Sequence, residues 1–146
     1  MSEDDLEVVF AQFDAVNRRD FARAMELYDE DVVLIVPPVS PGEGNVFEAG
    51  RFEGKEAVGR WFGNWFQAFD ADYRFDIEET EDLGHAIYLF ARHRGRGRAS
   101  GVEVHGENAY LYRVRNGKVV RIGFFAGREQ AMTAAALPEW SAGETD

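Results

Sequence analysis

The sequence predicts a single α+β domain in which a curved, mainly antiparallel sheet wraps around N-terminal helices. Two observations predict this class. Apolar residues recur at helical spacing in three segments of the first half, and the second half reads as successive strands separated by turns. Helices followed by a run of strands favour a segregated α+β arrangement. Because 45% of the 146 residues are apolar, the chain can form one core. We expect one domain over 1–146, with an ordered core over about 3–137 and a tail over 138–146.

The three predicted helices follow one another with short breaks. Ser2 and Asp5 form a capping-box pattern, and the helix after them has the apolar stripe Leu6, Val9, Phe10, Phe13 and Val16. Asp20 is expected to cap a short second helix with the apolar face Phe21, Ala24, Met25 and Tyr28. The third helix runs through EGKEAVGRWFGNWFQAF, with the stripe Val58, Trp61, Phe62, Trp65 and Phe69. We interpret most of these side chains as core.

The β-branched run from Val32 to Val36 predicts a buried strand, which ends at the prolines that follow it. The loop from Pro37 to about Gly50 is long for a compact domain, so we interpret it as a candidate lid. Further strands are predicted over 73–81, 86–98, 102–114 and 118–126, and a closing helix over 128–136.

Four arginines alternate with other residues in ARHRGRGRASG, which begins at residue 91. A two-residue turn at Ser100 and Gly101 would give hairpin partners whose numbers sum to 201, with Arg98 opposite Glu103 and Arg94 opposite Glu107. These pairs predict that the arginine face is solvated. The other face would then be the interior, and on it His93 would stand opposite Asn108, beside Tyr110 and Tyr112.

The last hairpin turns at Asn116 and Gly117. A strict two-residue turn would point Arg121 inward, so we favour a three-residue loop over 115–117, which places Val120, Ile122 and Phe124 in the interior. The outer face of the sheet then keeps an apolar strip of Tyr88, Phe90 and Leu111. An apolar strip on a solvated sheet is typical of a homodimer contact, and we expect one here.

Composition argues against several classes of function. The net charge is −11, which repels a phosphate backbone, so no nucleic-acid binding is expected. There is no cysteine, and the three histidines lack metal-ligand spacing, so neither a metal nor another cofactor is expected. The N-terminus lacks the pattern of a signal peptide and no apolar run approaches a membrane span, so we expect no membrane partner and a cytoplasmic location.

The order of these elements resembles the nuclear transport factor 2-like superfamily, and within it the SnoaL-like group. The resemblance covers nearly the whole chain and rests on NRRDFARAMELYDEDVVL, FEGKEAVGRWFGNWFQAF, RGRGRASGVEV and YRVRNGKVVRIGFFAGREQAM. It implies a cone-shaped α+β barrel with a pocket between sheet and helices, in a protein that is usually dimeric. The superfamily includes ketosteroid isomerase, polyketide cyclases, limonene epoxide hydrolase and many binding domains, so the fold does not decide the function.

The catalytic residues of these relatives do not carry over. The isomerase's tyrosine on the first helix matches Gln12, its carboxylate base matches Val36 and Pro37, and its protonated aspartate falls near Tyr110. The cyclases' aspartate near the end of the last strand matches the segment at Ala126. No interior position supplies the Asp-Arg-Asp set that epoxide hydrolases of this fold need.

The candidate site is therefore centred on His93, the one group suited to acid–base catalysis near neutral pH. The candidate ligand-binding residues around it are Gln12, Tyr28, Trp61, Trp65, Asn108, Tyr110, Tyr112 and Phe124. One hypothesis is a cofactor-independent isomerase- or cyclase-type enzyme that acts on a small apolar carbonyl compound. The alternative is a non-catalytic dimeric domain for ligand binding or assembly, in which His93 is a core residue bonded to Asn108.

Overall fold

The computed structural model describes residues 3–38 and 49–141 and confirms the α+β class. The helices are α1 (Glu3–Asn17), α2 (Phe21–Glu26), α3 (Lys55–Gln67), α4 (Arg128–Ala135) and α5 (Pro138–Ser141). The strands are β1 (Tyr28–Val36), β2 (Gly50–Glu53), β3 (Arg74–Asp82), β4 (Ile87–Arg96), β5 (Glu103–Arg115) and β6 (Lys118–Phe125). Most of the candidate lid, at positions 39–48, lies outside the described residues.

All six strands form one sheet in the order β2-β1-β6-β5-β4-β3. The β1–β6 pair is parallel and the other four pairs are antiparallel, so the predicted mainly antiparallel sheet is confirmed. Helices α1 and α3 pack on one face of this sheet, where aromatic residues from both layers build the main core. Asp20 caps α2 as expected, because its Oδ1 accepts a hydrogen bond from the Arg23 backbone N–H.

The first helix departs from its predicted stripe at one position. Val9, Phe13 and Val16 are buried, whereas the Phe10 side chain is 40% exposed. Gln12 is fully buried and completes the inward face between Val9 and Val16. The helical spacing alone does not separate Phe10 from Phe13, since both lie within one turn of Val9.

The register predicted for the arginine hairpin was wrong by two residues. The pairs are Arg92 with Glu107, Arg94 with His105 and Arg96 with Glu103, so partner numbers sum to 199 instead of 201. The connection is a six-residue loop over 97–102 and not a two-residue turn at Ser100 and Gly101. Arg98 lies in this loop and donates hydrogen bonds to the carbonyls of Gln67 and Phe69. A shift of two residues keeps each side chain on its predicted face.

The last hairpin also differs from its prediction. Arg115 pairs with Lys118 across the two-residue turn at Asn116 and Gly117, both of which have positive φ as a tight hairpin turn requires. A β-bulge after Arg113 then shifts the register. Val119 consequently joins the core in place of Val120, while Ile122 and Phe124 face the interior as predicted.

The predicted dimer strip is not free, because the chain's own C-terminal helices cover it. Tyr88 and Leu111 are buried, and Phe90 packs beside them, in a second core whose helical members are Ala131, Ala135 and Trp140. The strip was predicted to be exposed because the sequence does not show where α4 and α5 pack, and dimerisation itself stays a prediction. The segment assigned to a tail starts with α5, which buries Trp140 to 1% exposure.

Candidate functional site

His93 lies on β4 with its side chain in the interior and only 2% exposed. Its cross-strand partner is Gly106, where a side chain would collide with the imidazole: a Cβ on Gly106 would lie 3.0 Å from Nε2 of His93. Glycine at this position gives the ring the space to lie across β5 and reach Asn108. His93 and Asn108, which were predicted to stand directly opposite each other, are therefore diagonal neighbours in the hairpin.

Five residues form a continuous series of hydrogen bonds, which we call the His93 chain: Trp65, Tyr73, His93, Asn108 and Phe125. Nε1 of Trp65 donates to Oη of Tyr73 at 2.8 Å, and that hydroxyl lies 3.0 Å from Nδ1 of His93. Nε2 of His93 lies 2.9 Å from Oδ1 of Asn108, and Nδ2 of Asn108 donates to the Phe125 carbonyl at 3.1 Å.

The direction of donation in the His93 chain follows from its last member. A backbone carbonyl only accepts, so the Asn108 amide must present its NH₂ group to Phe125 and its oxygen to His93. Nε2 of His93 therefore carries the proton, and Nδ1 accepts from the Tyr73 hydroxyl. All four bonds donate in the same sense, from Trp65 towards Phe125.

Burial lowers the pKa of His93, and the neighbouring His105 lowers it further, although the bond to Asn108 opposes both effects. The imidazole is thus neutral at physiological pH. A neutral ring has one donor and one acceptor, and in the His93 chain both are engaged. This arrangement satisfies a buried histidine and holds its Nδ1 lone pair against Tyr73.

Tyr73 belongs to the site although it was not predicted to do so from the sequence. It precedes β3, is fully buried, and connects α3 to β4 through its hydroxyl. Burial raises the pKa of this hydroxyl, so it stays protonated. One signal was present in the sequence, since Gly95 removes the side chain that would block Tyr73: a Cβ there would lie 2.6 Å from Cα of Tyr73.

Gln12, Tyr28 and Tyr112 form a second buried polar group, separate from the His93 chain. Nε2 of Gln12 donates to Oη of Tyr28 at 3.1 Å, and Oη of Tyr112 donates to Oε1 of Gln12 at 2.6 Å. Burial raises the pKa of both tyrosines. Phe13 packs against this group and against Tyr110, with its ring 5.4 Å from that of Tyr112 and 5.8 Å from that of Tyr110.

Tyr110 differs from the tyrosines of these two polar groups. Its hydroxyl is buried and has no hydrogen-bond partner among the residues that the structure describes. Burial raises its pKa well above the ordinary value, with a smaller effect from Tyr73. The rings of Phe13, Phe75 and Phe124 surround it at centroid distances of 5.8, 6.0 and 4.6 Å. A buried hydroxyl without a partner costs about 1–3 kcal/mol, so Tyr110 lowers the stability of the interior.

The two candidate tryptophans and Phe124 are in contact. Trp61 stacks on Trp65 with centroids 6.3 Å apart and an interplanar angle of 10°, and its ring meets Phe124 edge-on at 5.3 Å. Trp61 is buried, whereas Trp65 is half-buried. Trp65 is therefore the member of the His93 chain that reaches towards solvent.

A cleft of about 420 Å³ lies beside Phe124, between the end of β1 and α4. Its apolar lining residues are Pro37, Pro38, Phe124, Phe125, Ala126, Ala134 and Leu137. Its polar lining residues, all on α4, are Glu129, Gln130 and Thr133. Apart from Phe124, none of these residues was predicted to bind a ligand, because residue spacing does not show that α4 packs against the end of β1.

The remaining features of the chain bear on metals, membranes and nucleic acids. Within the described ranges 3–38 and 49–141, no three His, Asp or Glu side chains are grouped to hold a metal ion. No helix of those ranges is long and apolar enough to cross a membrane. Of the arginines in the alternating series, Arg92 contacts the carboxylates of Glu78 and Glu107 at 3.2 and 3.1 Å. The absence of nucleic-acid binding stays a prediction.

The chain belongs to the SnoaL-like domain family, whose model matches residues 9–122. No curated protein sequence matches the chain. Solved structures share its fold, among them Bal32a from a soil-derived mobile gene cassette, with a TM-score of 0.70 and 20% identity over 84% of this chain and 88% of that one.

Two further solved structures contain small molecules. A Mycobacterium tuberculosis protein in complex with estradiol-17beta-hemisuccinate has a TM-score of 0.67 and 20% identity over 83% of this chain and 92% of that one. A Catenulispora acidiphila protein with a ketosteroid isomerase-like fold, in complex with trimethylamine, has a TM-score of 0.69 and 14% identity over 90% of this chain and 94% of that one. At these identities the likeness establishes the cone-shaped fold alone.

Proposed function

We propose that the protein is a non-catalytic SnoaL-like binding domain that takes up a small, largely apolar molecule in the cleft between β1 and α4. The observation that carries this proposal is the cleft itself. Its volume of about 420 Å³ falls within the range of roughly 300–1,000 Å³ that small-molecule sites occupy. A mainly apolar lining with a few polar groups on one wall is the composition such sites have.

The lining also indicates the chemistry of the ligand. Phe124, Phe125 and the two prolines offer an apolar floor, while Gln130 and Thr133 offer hydrogen bonds from the α4 wall. Glu129 adds a carboxylate, which would repel an anionic ligand and favour a neutral or cationic one. We therefore expect a neutral or weakly basic apolar compound. The small molecules bound by two proteins of this fold, an estradiol ester and trimethylamine, support a ligand-binding role.

The state of His93 supports a binding role over a catalytic one. Both ring nitrogens already have partners inside the protein, and the lowered pKa keeps the ring from gaining a proton near neutral pH. A general acid or base has to exchange a proton with substrate, so it needs one nitrogen facing a substrate atom. In this arrangement His93 instead fixes the positions of Tyr73 and Asn108.

The neutral dye Nile red tests the cleft directly. We expect its fluorescence to rise on binding to the wild-type chain and to fall when Thr133→Trp fills the cleft with an indole. Ala136→Trp is the matched control, because it adds the same side chain at an exposed position of the C-terminal cap of α4 outside the cleft lining. Equal dye binding by both variants would rule out the cleft as the site. Native mass spectrometry of the chain purified from its own host would then identify the natural ligand.

A second candidate function, the acid–base enzyme acting on an apolar carbonyl compound, is favoured by one observation. The unpartnered Tyr110 hydroxyl lies in the interior close to the His93 chain and could donate to a carbonyl oxygen, while His93 moves the proton. This hypothesis expects His93→Ala to keep the fold and abolish turnover of a carbonyl ligand recovered from the host. Unchanged turnover in that variant would eliminate His93 as the group that moves the proton, whereas no turnover by either chain would leave the binding proposal standing.

A further inference from the structure

The cleft between β1 and α4 is polar at one end only. Glu129 and Gln130 belong to the first turn of α4, and Thr133 follows one turn later. Because residues four apart lie on one face of a helix, Glu129 and Thr133 share a face and stand about 6 Å apart along its axis. The lining residues that follow them, Ala134 and Leu137, are apolar. A ligand in the cleft therefore meets polar side chains towards the start of α4 and apolar ones beyond it.

Glu129 is the one charged side chain among the described residues that line the cleft, and it is exposed. It forms no salt bridge with any residue that the structure describes, whereas neighbouring carboxylates are held by arginines. Glu81 contacts Arg128 at 2.8 Å, and Glu139 contacts Arg121 at 3.2 Å. Arg128 and Glu129 are adjacent in sequence, so their side chains do not face each other on the helix. The carboxylate of Glu129 is therefore available to a cation in the cleft.

The polar end of the cleft consists of hydrogen-bond acceptors. The carboxylate of Glu129 only accepts, and the amide oxygen of Gln130 and the hydroxyl of Thr133 accept as well. Oε1 of Gln130 lies near the start of α4, 3.2 Å from the position that a Cβ on Gly127 would occupy. No lysine, arginine or histidine is among the lining residues that the structure describes. A group that donates hydrogen bonds and carries positive charge complements this end, and a protonated amine does both.

We propose that the cleft is selective for a protonated amine on an apolar body, and that Glu129 determines this specificity. The ammonium group lies against Glu129 at the start of α4, and the apolar body lies on Phe124 and Phe125. The net charge of −11 adds a long-range attraction for cations. This inference rests on the proposed binding function and narrows the neutral or weakly basic compound expected there to one that carries a positive charge.

The position of Glu129 allows one substitution to reverse the charge preference. Helix α4 begins after Gly127, which supplies no side-chain cap, so the first turn has free backbone N–H groups and a partial positive charge of about half a unit. The full negative charge of Glu129 outweighs it in the wild-type chain. Glu129→Gln removes that charge and keeps the shape of the side chain, so the positive end of the helix should then favour an anion.

The test measures how three compounds with the same ring system displace Nile red from the full chain at neutral pH. Naphthylmethylamine is a cation, naphthylmethanol is neutral and naphthoic acid is an anion. We expect the wild-type chain to bind the amine about threefold to fivefold more tightly than the alcohol, and the acid more weakly than the alcohol. In Glu129→Gln the amine should lose this advantage, and the acid should bind more tightly than it does to the wild-type chain.

Glu56→Gln is the matched control, because Glu56 is exposed in the first turn of α3 and lies outside the cleft lining. It makes the same change in net charge at the same place in a helix, so it should keep the wild-type order of amine, alcohol and acid. An amine that binds the wild-type chain no more tightly than the alcohol, or an unchanged order in Glu129→Gln, would overturn this inference. The proposed function would survive that result if Thr133→Trp still excluded Nile red, whereas equal dye binding by Thr133→Trp and Ala136→Trp would contradict both.

Discussion

The hydroxyl of Tyr73 lies 3.0 Å from Nδ1 of His93 and accepts a hydrogen bond from Trp65 at 2.8 Å. This contact joins the helix layer to the sheet through one oxygen atom. It also means that the half-buried Trp65 is connected, by hydrogen bonds alone, to the centre of the candidate site. A molecule that moved the Trp65 indole would alter the surroundings of Tyr73 and His93 together.

The first prediction compares two buried tyrosines that differ in their partners. Tyr73→Phe removes a hydroxyl with two partners and should lower the free energy of unfolding by about 1–3 kcal/mol, because it leaves the indole N–H of Trp65 without its acceptor. Tyr110→Phe removes a hydroxyl that lacks a partner in the described structure, so it should be neutral or stabilising. Urea unfolding of both variants provides the measurement. Equal destabilisation would show that Tyr110 also bonds within the protein.

The second prediction concerns the end of the His93 chain. Asn108→Leu should lower the free energy of unfolding by about 2–4 kcal/mol, because Nε2 of His93 and the Phe125 carbonyl both lose a partner while buried. Asn64→Leu, the same change at an exposed position of α3, should change stability by less than about 0.5 kcal/mol. Denaturation midpoints measured side by side test the difference. If Asn108→Leu lowered the free energy of unfolding by no more than Asn64→Leu does, the hydrogen bonds of the His93 chain would contribute little to stability.

The third prediction follows from the lowered pKa of His93. Below its ordinary pKa of about 6.5, the unfolded chain binds a proton at this residue that the folded chain does not bind. The free energy of unfolding should therefore fall as the pH drops through about 6.5, down to the lower pKa of the folded state. Replacing His93 by phenylalanine should flatten this part of the profile.

His105→Gln is the matched control for that profile, since His105 is exposed on the same hairpin. It should leave most of the slope in place. The test is the free energy of unfolding of the wild-type, His93→Phe and His105→Gln chains, measured between pH 5 and pH 8. If its dependence on pH were the same in His93→Phe as in the wild type, the lowered pKa of His93 would be contradicted.

The fourth prediction uses glycines as probes of the space around the site. Gly95→Ala places a methyl group 2.6 Å from Cα of Tyr73, and this backbone atom cannot move alone. The free energy of unfolding should therefore fall by about 1–3 kcal/mol or more. Gly63→Ala meets no atom within 4 Å and lies inside α3, where it should stabilise by up to about 1 kcal/mol. Thermal unfolding separates the two. A Gly95→Ala chain as stable as wild type would show that Tyr73 does not depend on this close approach.

Much of the fold was predictable because alternation along a strand fixes which face each residue occupies. His93, Tyr110 and Tyr112 all face the interior as predicted, although the hairpin register was wrong by two residues. Local patterns do not report which segments meet in space. The sequence therefore did not predict that the C-terminal helices cover Tyr88 and Leu111. It also did not predict the four-residue strand β2.

The candidate site was predicted in part for the same reason. Asn108 was correctly assigned to His93, since both lie on the inner face of adjacent strands. Tyr73 was missed because its role depends on the distance between the end of α3 and β4, which residue spacing does not give. Gly95 and Gly106 show the limit most clearly. The sequence shows that each lacks a side chain, but only the structure shows which ring of the site each one makes room for.

The space that Gly106 leaves for the imidazole of His93 has a consequence for how the hairpin finds its alignment during folding. Slippage by two residues leaves every apolar side chain inside, so burial alone discriminates weakly between the two alignments. In the slipped alignment His93 would face Asn108 directly and no longer Gly106, so the imidazole would lose the space that the glycine gives it. The close fit between His93 and Gly106 thus favours the observed alignment of the hairpin over one slipped by two residues, which burial of apolar side chains alone would not do.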